Sequence, residues 1–301
     1  MKCRRCQKPA VIKMERHNTS LCRFCFDFYL FDQLKKAVTE GEMFRRDEPV
    51  LVAVSGGKDS LVLWHALMKL GYRTTGLHLN LGIGVYSEQS QKKAEAFAEA
   101  HRLKLILHDY KEAYGLGVAE IAMETARPPC SACGTMKRHH FNRIAMEHGF
   151  PVVATGHNLD DEAARLLGNV LAWQDDYLEK QSPVLSDEGG RWARKVKPLY
   201  RLTEREIAAY AVMNRIDYIV EECPMSKGAK MLLYKEMLNR LEEASPGTKH
   251  KFYLGFLERK AALLPVVTEE TGNLCSSCGQ PSQGTLCSFC RLMERVGNGT
   301  P

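Results

Sequence analysis

Apolar positions along the chain switch between two spacings. Short unbroken runs at VLVAV (50–54), RTTGLHLNL (73–81), LKLILHDY (103–110) and PVVAT (151–155) have the length and β-branched content of buried strands. DYIVEE (217–222) reads as one more, shorter strand. Between these runs apolar residues recur at helical spacing: Ser60 to Leu70, stopped by Gly71, then 87–101, 135–148 and 160–172. DFYLFDQLKKAV (27–38) and 229–264 add helices on either flank, while 174–200, rich in Asp, Gly, Pro and charge, reads as a long loop. Strands alternating with helices predict an α/β fold, a doubly wound, mostly parallel sheet with helices on both faces. Ligands of such sheets bind at the carboxyl ends of the strands.

The two ends follow a different logic. The eleven cysteines fall in three groups, four, three and four. Cys3-x2-Cys6-x15-Cys22-x2-Cys25 and Cys275-x2-Cys278-x8-Cys287-x2-Cys290 are paired knuckles, each turn presenting two sulfurs to one tetrahedral ion. Four protein ligands leave no open position, so two structural zinc ions are expected. Each module has few large apolar residues, and the metal must then supply on the order of 10 kcal/mol of its folding energy. The chain therefore divides into an N-terminal zinc module (1–27), a linker helix (28–48), a nucleotide-binding α/β domain (49–224), a helical extension (225–265) and a C-terminal zinc module (266–301).

Composition narrows the class. With 301 residues, 45% hydrophobic and 26% charged, the chain is globular rather than disordered or collagenous, and too long for a minimal disulfide scaffold. No apolar run reaches the roughly 18 residues of a membrane span, and MKCRRCQKPA lacks the apolar core of a signal peptide. A cytoplasmic protein with no membrane partner is expected. The formal charge of +6 suggests a polyanion partner. A four-thiolate zinc site, however, carries about −2 and a three-thiolate iron–sulfur cubane about −1, which brings the loaded protein near neutrality. Local patches must then carry that argument: Lys2, Arg4, Arg5, Lys8, Lys13, Arg16 and Arg23 in the first module, Lys249, Lys251, Arg259 and Lys260 before the second, and Arg191, Arg194, Lys195, Lys197, Arg201 and Arg205 in the long loop.

Directly after the first strand, Ser55-Gly56-Gly57-Lys58-Asp59-Ser60 opens a helix. Glycines let backbone N–H groups approach an anion, the helix start attracts it, and Lys58 adds charge. A Walker A loop needs Gly at 52 and Ser or Thr after the lysine; the chain has Val52 and Asp59, and no Rossmann G-x-G-x-x-G follows the strand. After PVVAT comes Gly156-His157-Asn158-Leu159-Asp160-Asp161-Glu162, a glycine turn with an acidic first helical turn, which a helix dipole also favours. The third cysteine group, Cys130-x2-Cys133 and a distant Cys223 in ECP, supplies three thiols. They suit a [4Fe-4S] cluster with one iron free of protein ligands; a three-thiolate zinc with water and a Cys130–Cys133 disulfide are the other arrangements.

S-G-G-K-D-S resembles the PP-loop of the N-type ATP pyrophosphatases, which split ATP between the α and β phosphates. With PPCSACG, GHNLDDEA, the late Cys-Pro and both zinc knuckles, essentially the whole chain resembles the TtuA group of tRNA 2-thiouridine synthetases, relatives of the TtcA group. The resemblance implies that Val54, Ser55, Gly56, Gly57, Lys58 and Ser60 hold ATP, that Asp59 and Asp161 serve at Mg²⁺ or the reacting oxygen, that Gly156 lies against the nucleotide, and that His78 and Leu79 border adenine. Lys137, one helical turn beyond Cys133, then faces the α-phosphate. It further implies adenylation of O2 of a tRNA uridine, with T-loop 5-methyluridine the preferred target. Sulfur held on the open iron replaces that oxygen, and is delivered by a ubiquitin-like thiocarboxylate carrier to a homodimeric enzyme. Thiolation of a wobble uridine or a cytidine, a persulfide route without a cluster, and a non-catalytic nucleotide- and tRNA-binding protein are the rival readings. Paired terminal zinc modules count against the cytidine-modifying TtcA type.

Overall fold

The computed structural model describes residues 1–186, 192–226, 228, 230–263 and 273–297. Arg191 of the expected basic stretch lies outside them. The N-terminal module is an antiparallel hairpin of β1 (Ile12–Met14) and β2 (Thr19–Leu21), running into α1 (Arg23–Glu40). The central elements follow as β3 (Val50–Ala53), α2 (Lys58–Lys69), β4 (Thr74–Asn80), α3 (Gly84–His101), β5 (Leu105–Asp109), α4 (Tyr110–Tyr114), α5 (Val118–Glu124), α6 (Pro129–Glu147), β6 (Val152–Ala154) and α7 (Leu159–Leu171). Next come α8 (Asp175–Lys180), β7 (Val184–Leu185), β8 (Arg194–Val196), α9 (Glu204–Met213), α10 (Lys230–Ala244) and α11 (Thr248–Leu263). The C-terminal module contributes β9 (Asn273–Leu274), β10 (Pro281–Ser282) and α12 (Ser288–Gly297).

The central sheet has the order β5-β4-β3-β6-β8-β7, parallel except for β7. Because β3 pairs with β4 on one side and β6 on the other, the strand order reverses at β3/β6. That switch point opens the crevice where the first helical turn after each strand faces a ligand. Side-chain alternation divides the interior. Val50, Val52, Val152 and Ala154 pack one face with α1, α2, α7 and α9, whereas Leu51, Val153, Leu77 and Leu79 pack the other with α5 and α6.

Three expectations need correcting. The segment 174–200 is not a bare loop: α8, β7 and β8 lie in it, and β8 was hidden because two of its three residues, Arg194 and Lys195, are charged. Residues 217–222 form no strand; β8 and β7 already occupy the sheet beyond β6, and the segment is tied to the sheet loops by one Ile219 N–H bond to Gly56 O, 3.0 Å. The helix expected over 27–38 starts earlier, at Arg23, with Cys25 in its first turn, and Phe26, Leu30 and Leu34 of α1 are fully buried.

Candidate active site at the sheet switch point

The loop after β3 is held both by its own bonds and by α3. Gly56 has φ +77°, and a Cβ there would lie 2.3 Å from Ser90 O, so only glycine fits. Ser60 Oγ donates to Gly57 O (2.9 Å) and accepts from Ser55 N (3.1 Å), closing the turn from within. Gly57 caps α2 in extended conformation without a side-chain partner, which leaves the first helical N–H groups open to an anion.

The loop after β6 is pressed against it. A Cβ on Gly156 would meet Asp59 C and Ser60 N at 2.9 Å. Asn158 caps α7 in a reciprocal box with Asp161, and its Nδ2 donates to Asp59 Oδ1 at 3.0 Å. Asp59 and Asp161 are thereby braced by one asparagine. Burial, opposed by Lys58 and reinforced by Asp161, raises the Asp59 carboxyl above its usual range. For Asp161 burial acts upward too, but the Lys235 ammonium 2.6 Å away, with His157, holds it below. Two facing carboxylates beside a phosphate loop form a donor set that fits Mg²⁺.

Sequence reading missed the rest of this network. Lys58 Nζ contacts Asp59 Oδ2 (3.1 Å) and Glu204 Oε1 (2.6 Å); Glu204 also reaches Lys235 (3.2 Å). Asp160 is buried against Lys249 and accepts from Glu204 N, 2.8 Å. Glu204 lies 146 residues from Lys58, and its only local signal is the Thr203–Glu206 capping box that starts α9. Separate ion pairs empty part of the expected basic face: Arg194, Lys197 and Arg201 pair with Glu48, Glu162 and Glu40, and Lys249 is buried.

Beside the loop is a cavity of about 70 Å³ whose lining includes Val54, Ser55, His78, Leu79, Tyr86 and Lys137. His78 is buried, and its Nδ1 faces Val54 O at 2.8 Å. A carbonyl only accepts, so Nδ1 carries the proton and Nε2 is a bare acceptor; it finds no partner among the described residues. Burial lowers the His78 pKa and keeps the ring neutral. An orphaned buried acceptor in this wall fits a nucleoside donor. A larger cavity, about 590 Å³, lies between the β1–β2 hairpin, α9 and the α10–α11 turn. It is lined by mixed charge and has no phosphate-loop backbone.

The three remaining thiols gather at the same crevice. Cys130 and Cys133 occupy the first two turns of α6, started by Pro128 and Pro129, with Lys137 one turn beyond Cys133. Cys130 Sγ reaches Met225 O at 3.5 Å, and the Met225 backbone also bonds the Cys223 thiol, whose pKa burial raises. The Ile219–Gly56 bond holds the Cys223 segment to the phosphate loop. Tyr86, Cys133 and Cys223 pack against one apolar cluster, and Tyr86 lines the cavity with Ser55 and Lys137. Among the described residues only the two quartets bring their sulfurs within 4.8 Å of one another. The sulfurs of Cys130, Cys133 and Cys223 do not all lie within that distance of one another. In the quartets, Cys6–Cys22 at 3.5 Å, Cys6–Cys25 at 3.7 Å and Cys278–Cys287 at 3.8 Å match the roughly 3.8 Å edge of a zinc tetrahedron with 2.3 Å bonds.

Comparison with known proteins agrees with this arrangement. Residues 29–228 match the family described as PP-loop domain, and residues 2–27 match the N-terminal LIM domain of the 2-thiouridine synthetase TtuA. A tRNA-5-methyluridine(54) 2-sulfurtransferase of Thermus thermophilus is 48% identical over 98% of this chain and 92% of its own. The chain belongs to the TtuA group of PP-loop tRNA 2-thiouridine synthetases. A second member, from Pyrococcus horikoshii and with the same description, is 44% identical over 97% of this chain and 93% of its own. The U34-tRNA thiolase NcsA of Methanococcus maripaludis, solved with its [4Fe-4S] cluster, superimposes with a TM-score of 0.84 at 26% identity, over 98% of this chain and 96% of that one. Among the described residues of this TtuA-group chain, no helix is long and apolar enough to cross a membrane.

Proposed function

We propose that this chain is an ATP-dependent sulfurtransferase that converts a tRNA uridine, T-loop 5-methyluridine, to its 2-thio form. The observation that carries the reading is the meeting of phosphate loop, Lys137 and thiol trio at one crevice. The target rests on the 5-methyluridine(54) enzymes being 44–48% identical, against 26% for the U34 thiolase.

The chemistry follows from the groups present. A uracil carbonyl oxygen leaves poorly, so O2 attacks the α-phosphorus of ATP and pyrophosphate departs. Hydrosulfide, sulfur at the sulfide level, then adds to C2 and gives up its proton as the C2–O bond breaks, and the original oxygen leaves on AMP. The open backbone N–H groups of Lys58, Asp59 and Ser60 at the start of α2 and the Lys58 ammonium take up the pyrophosphate charge, while Val54, Ser55, Gly56 and Gly57 shape the loop against the bound ATP. Asp59 and Asp161 hold Mg²⁺ against the phosphates, and Lys137 stabilises the α-phosphate. Gly156 keeps the two loops in contact, and His78 with Leu79 seats the base of ATP. Cys130, Cys133 and Cys223 would hold the [4Fe-4S] cluster, which would supply one iron without a protein ligand and so a position able to bind sulfur.

Cys3, Cys6, Cys22 and Cys25 bind one structural zinc; Cys275, Cys278, Cys287 and Cys290 bind the other. The division 1–27, 28–48, 49–224, 225–265 and 266–301 follows these roles. Exposed Arg4, Arg5 and Arg23, with Arg5 over the Phe28 ring at 5.6 Å, suit the tRNA backbone and its unstacked bases. A homodimer through the exposed Leu233, Met237 and Leu241 stripe of α10, a ubiquitin-like thiocarboxylate carrier and a cytoplasmic location complete the reading.

The test is anaerobic reconstitution with ATP, sulfide and a 5-methyluridine-containing tRNA, followed by nucleoside mass spectrometry. The expected product is 2-thioribothymidine with stoichiometric AMP, lost in Cys223→Ser. Thiolation of the wobble position instead would move the target, and ATP binding without AMP would leave a non-catalytic protein.

A further inference from the structure

The two zinc knuckles look alike in sequence yet belong to different interiors. Cys3, Cys22 and Cys25 are packed into the core that contains α1, α2 and α9. Cys275, Cys287, Cys290 and Phe289 are packed into the other, with Ala132, Met136 and Ile144 of α6.

The contact between the second module and α6 is aromatic and specific. Phe289 stacks on His139, centroids 3.9 Å apart at 13°, and meets His140 edge-on at 5.2 Å and 89°. His140 is itself fixed: Nδ1 donates to Met136 O (2.8 Å), which leaves Nε2 to accept from Tyr114 Oη (2.7 Å). One half-turn on, the Asn142 amide donates to Gln280 of the module, and its Oδ1 accepts from Ala193 N at 3.0 Å. These anchors hold the middle of α6. The start of the helix has less support, since Pro128 and Cys130 are exposed. A helix is stiff over the roughly 9 Å between residues 133 and 139, so the position of the anchored half sets that of the first two turns.

We propose that the C-terminal zinc module is a positioning element for the reaction, in which Phe289, through His139 and His140, fixes the place and rotation of the helix presenting Cys130, Cys133 and Lys137. This rests on the reading of the thiol trio as cluster ligands. Among the described residues the N-terminal module makes no such tie; the Arg23–Asn214 (3.3 Å) and Tyr29–Glu206 (3.0 Å) bonds join it and α1 to α9 and its C-cap.

The experiment compares full-length Phe289→Ala, Phe289→Tyr, Gln280→Ala and Cys6→Ser, each reconstituted anaerobically. Zinc and iron per chain, iron loss to a chelator, ATP affinity and amide hydrogen exchange along α6 are measured. Phe289→Ala should keep both zinc ions yet lose iron about 10- to 100-fold faster, the usual effect of removing a support behind a metal ligand. It should also weaken ATP binding and speed exchange at 130–140. Phe289→Tyr keeps the ring and should behave as the parent. Gln280→Ala, which removes only the amide contact, should move the same readouts less and serves if Phe289→Ala does not fold. Cys6→Ser should lose one zinc and retain iron. Wild-type iron retention and exchange in Phe289→Ala would overturn the inference, as would equally fast iron loss in Cys6→Ser. A parent protein that takes up no iron refutes the cluster reading, and exchange along α6 then decides the present one alone.

Discussion

Replacing Gly156 by alanine isolates the contact between the two loops. The backbone of Gly156 lies outside the left-handed region, so an alanine is conformationally allowed and only its methyl group matters. That methyl carbon would stand 2.9 Å from Asp59 C and Ser60 N and 3.1 Å from Asp59 O. Carbon contacts relax to about 3.5–4.0 Å. All three atoms are backbone at the start of α2, so no side chain can swing away, and the loops must part by about 0.5–1 Å. Misplacing reacting groups by that much costs about 100-fold in rate, or about 2.7 kcal/mol of transition-state stabilisation. Overpacking also removes about 1–3 kcal/mol of stability, so turnover is compared well below the melting transition. The assay is AMP release with tRNA present, alongside ATP affinity by calorimetry. We expect kcat/KM to fall about 100-fold while the variant stays folded. A value within about threefold of the parent would mean that the β3 and β6 loops do not act as one unit.

Three further outcomes follow from the charge network and the buried histidines. Glu204→Gln removes a carboxylate that competes with triphosphate for Lys58; at a half-exposed site this is about 1 kcal/mol, so ATP should bind roughly fivefold tighter by calorimetry. Weaker binding would instead place Glu204 on the side of the ligand. Lys249→Ala strands the buried Asp160 carboxylate and should cost about 3–5 kcal/mol in denaturant unfolding. Most of that loss should return in the Asp160→Asn, Lys249→Met double variant. Burial, helped by His101 and Lys69, lowers the His65 pKa from 6.5 to about 4. Between those values the unfolded chain takes up a proton the folded one refuses, so stability is full above 6.5 and declines as pH falls toward 4. His65→Phe should therefore lose less melting temperature between neutral pH and pH of about 5 than the parent does.

Much of this molecule is local in origin and so was legible in the chain. The strands at 50–54, 73–81, 103–110 and 151–155 are short apolar runs ended by turn residues, and a parallel sheet buried on both faces tolerates little else. The turn chemistry of the phosphate loop and the C-x2-C turns of each knuckle depend on residues a few positions apart, so spacing marks them, whereas the contacts of Gly56 with Ser90 and of Gly156 with Asp59 are made only by folding. The structure alone decided which distant charges meet. That Lys58 is held by Glu204, that Lys249 is buried on Asp160, and that Arg194, Lys197 and Arg201 are spent on partners rather than displayed are consequences of packing across the switch point. Strand β8 escaped notice because ladder pairing with β6, not apolar pattern, makes Arg194–Val196 a strand. For the same reason 217–222 resembles a strand and is none: among the described residues its backbone bonds the loop at Gly56 through Ile219 and joins no ladder. Periodicity records what a segment can bury, whereas the partners of a charge or a backbone edge are set by chain segments that only folding brings alongside.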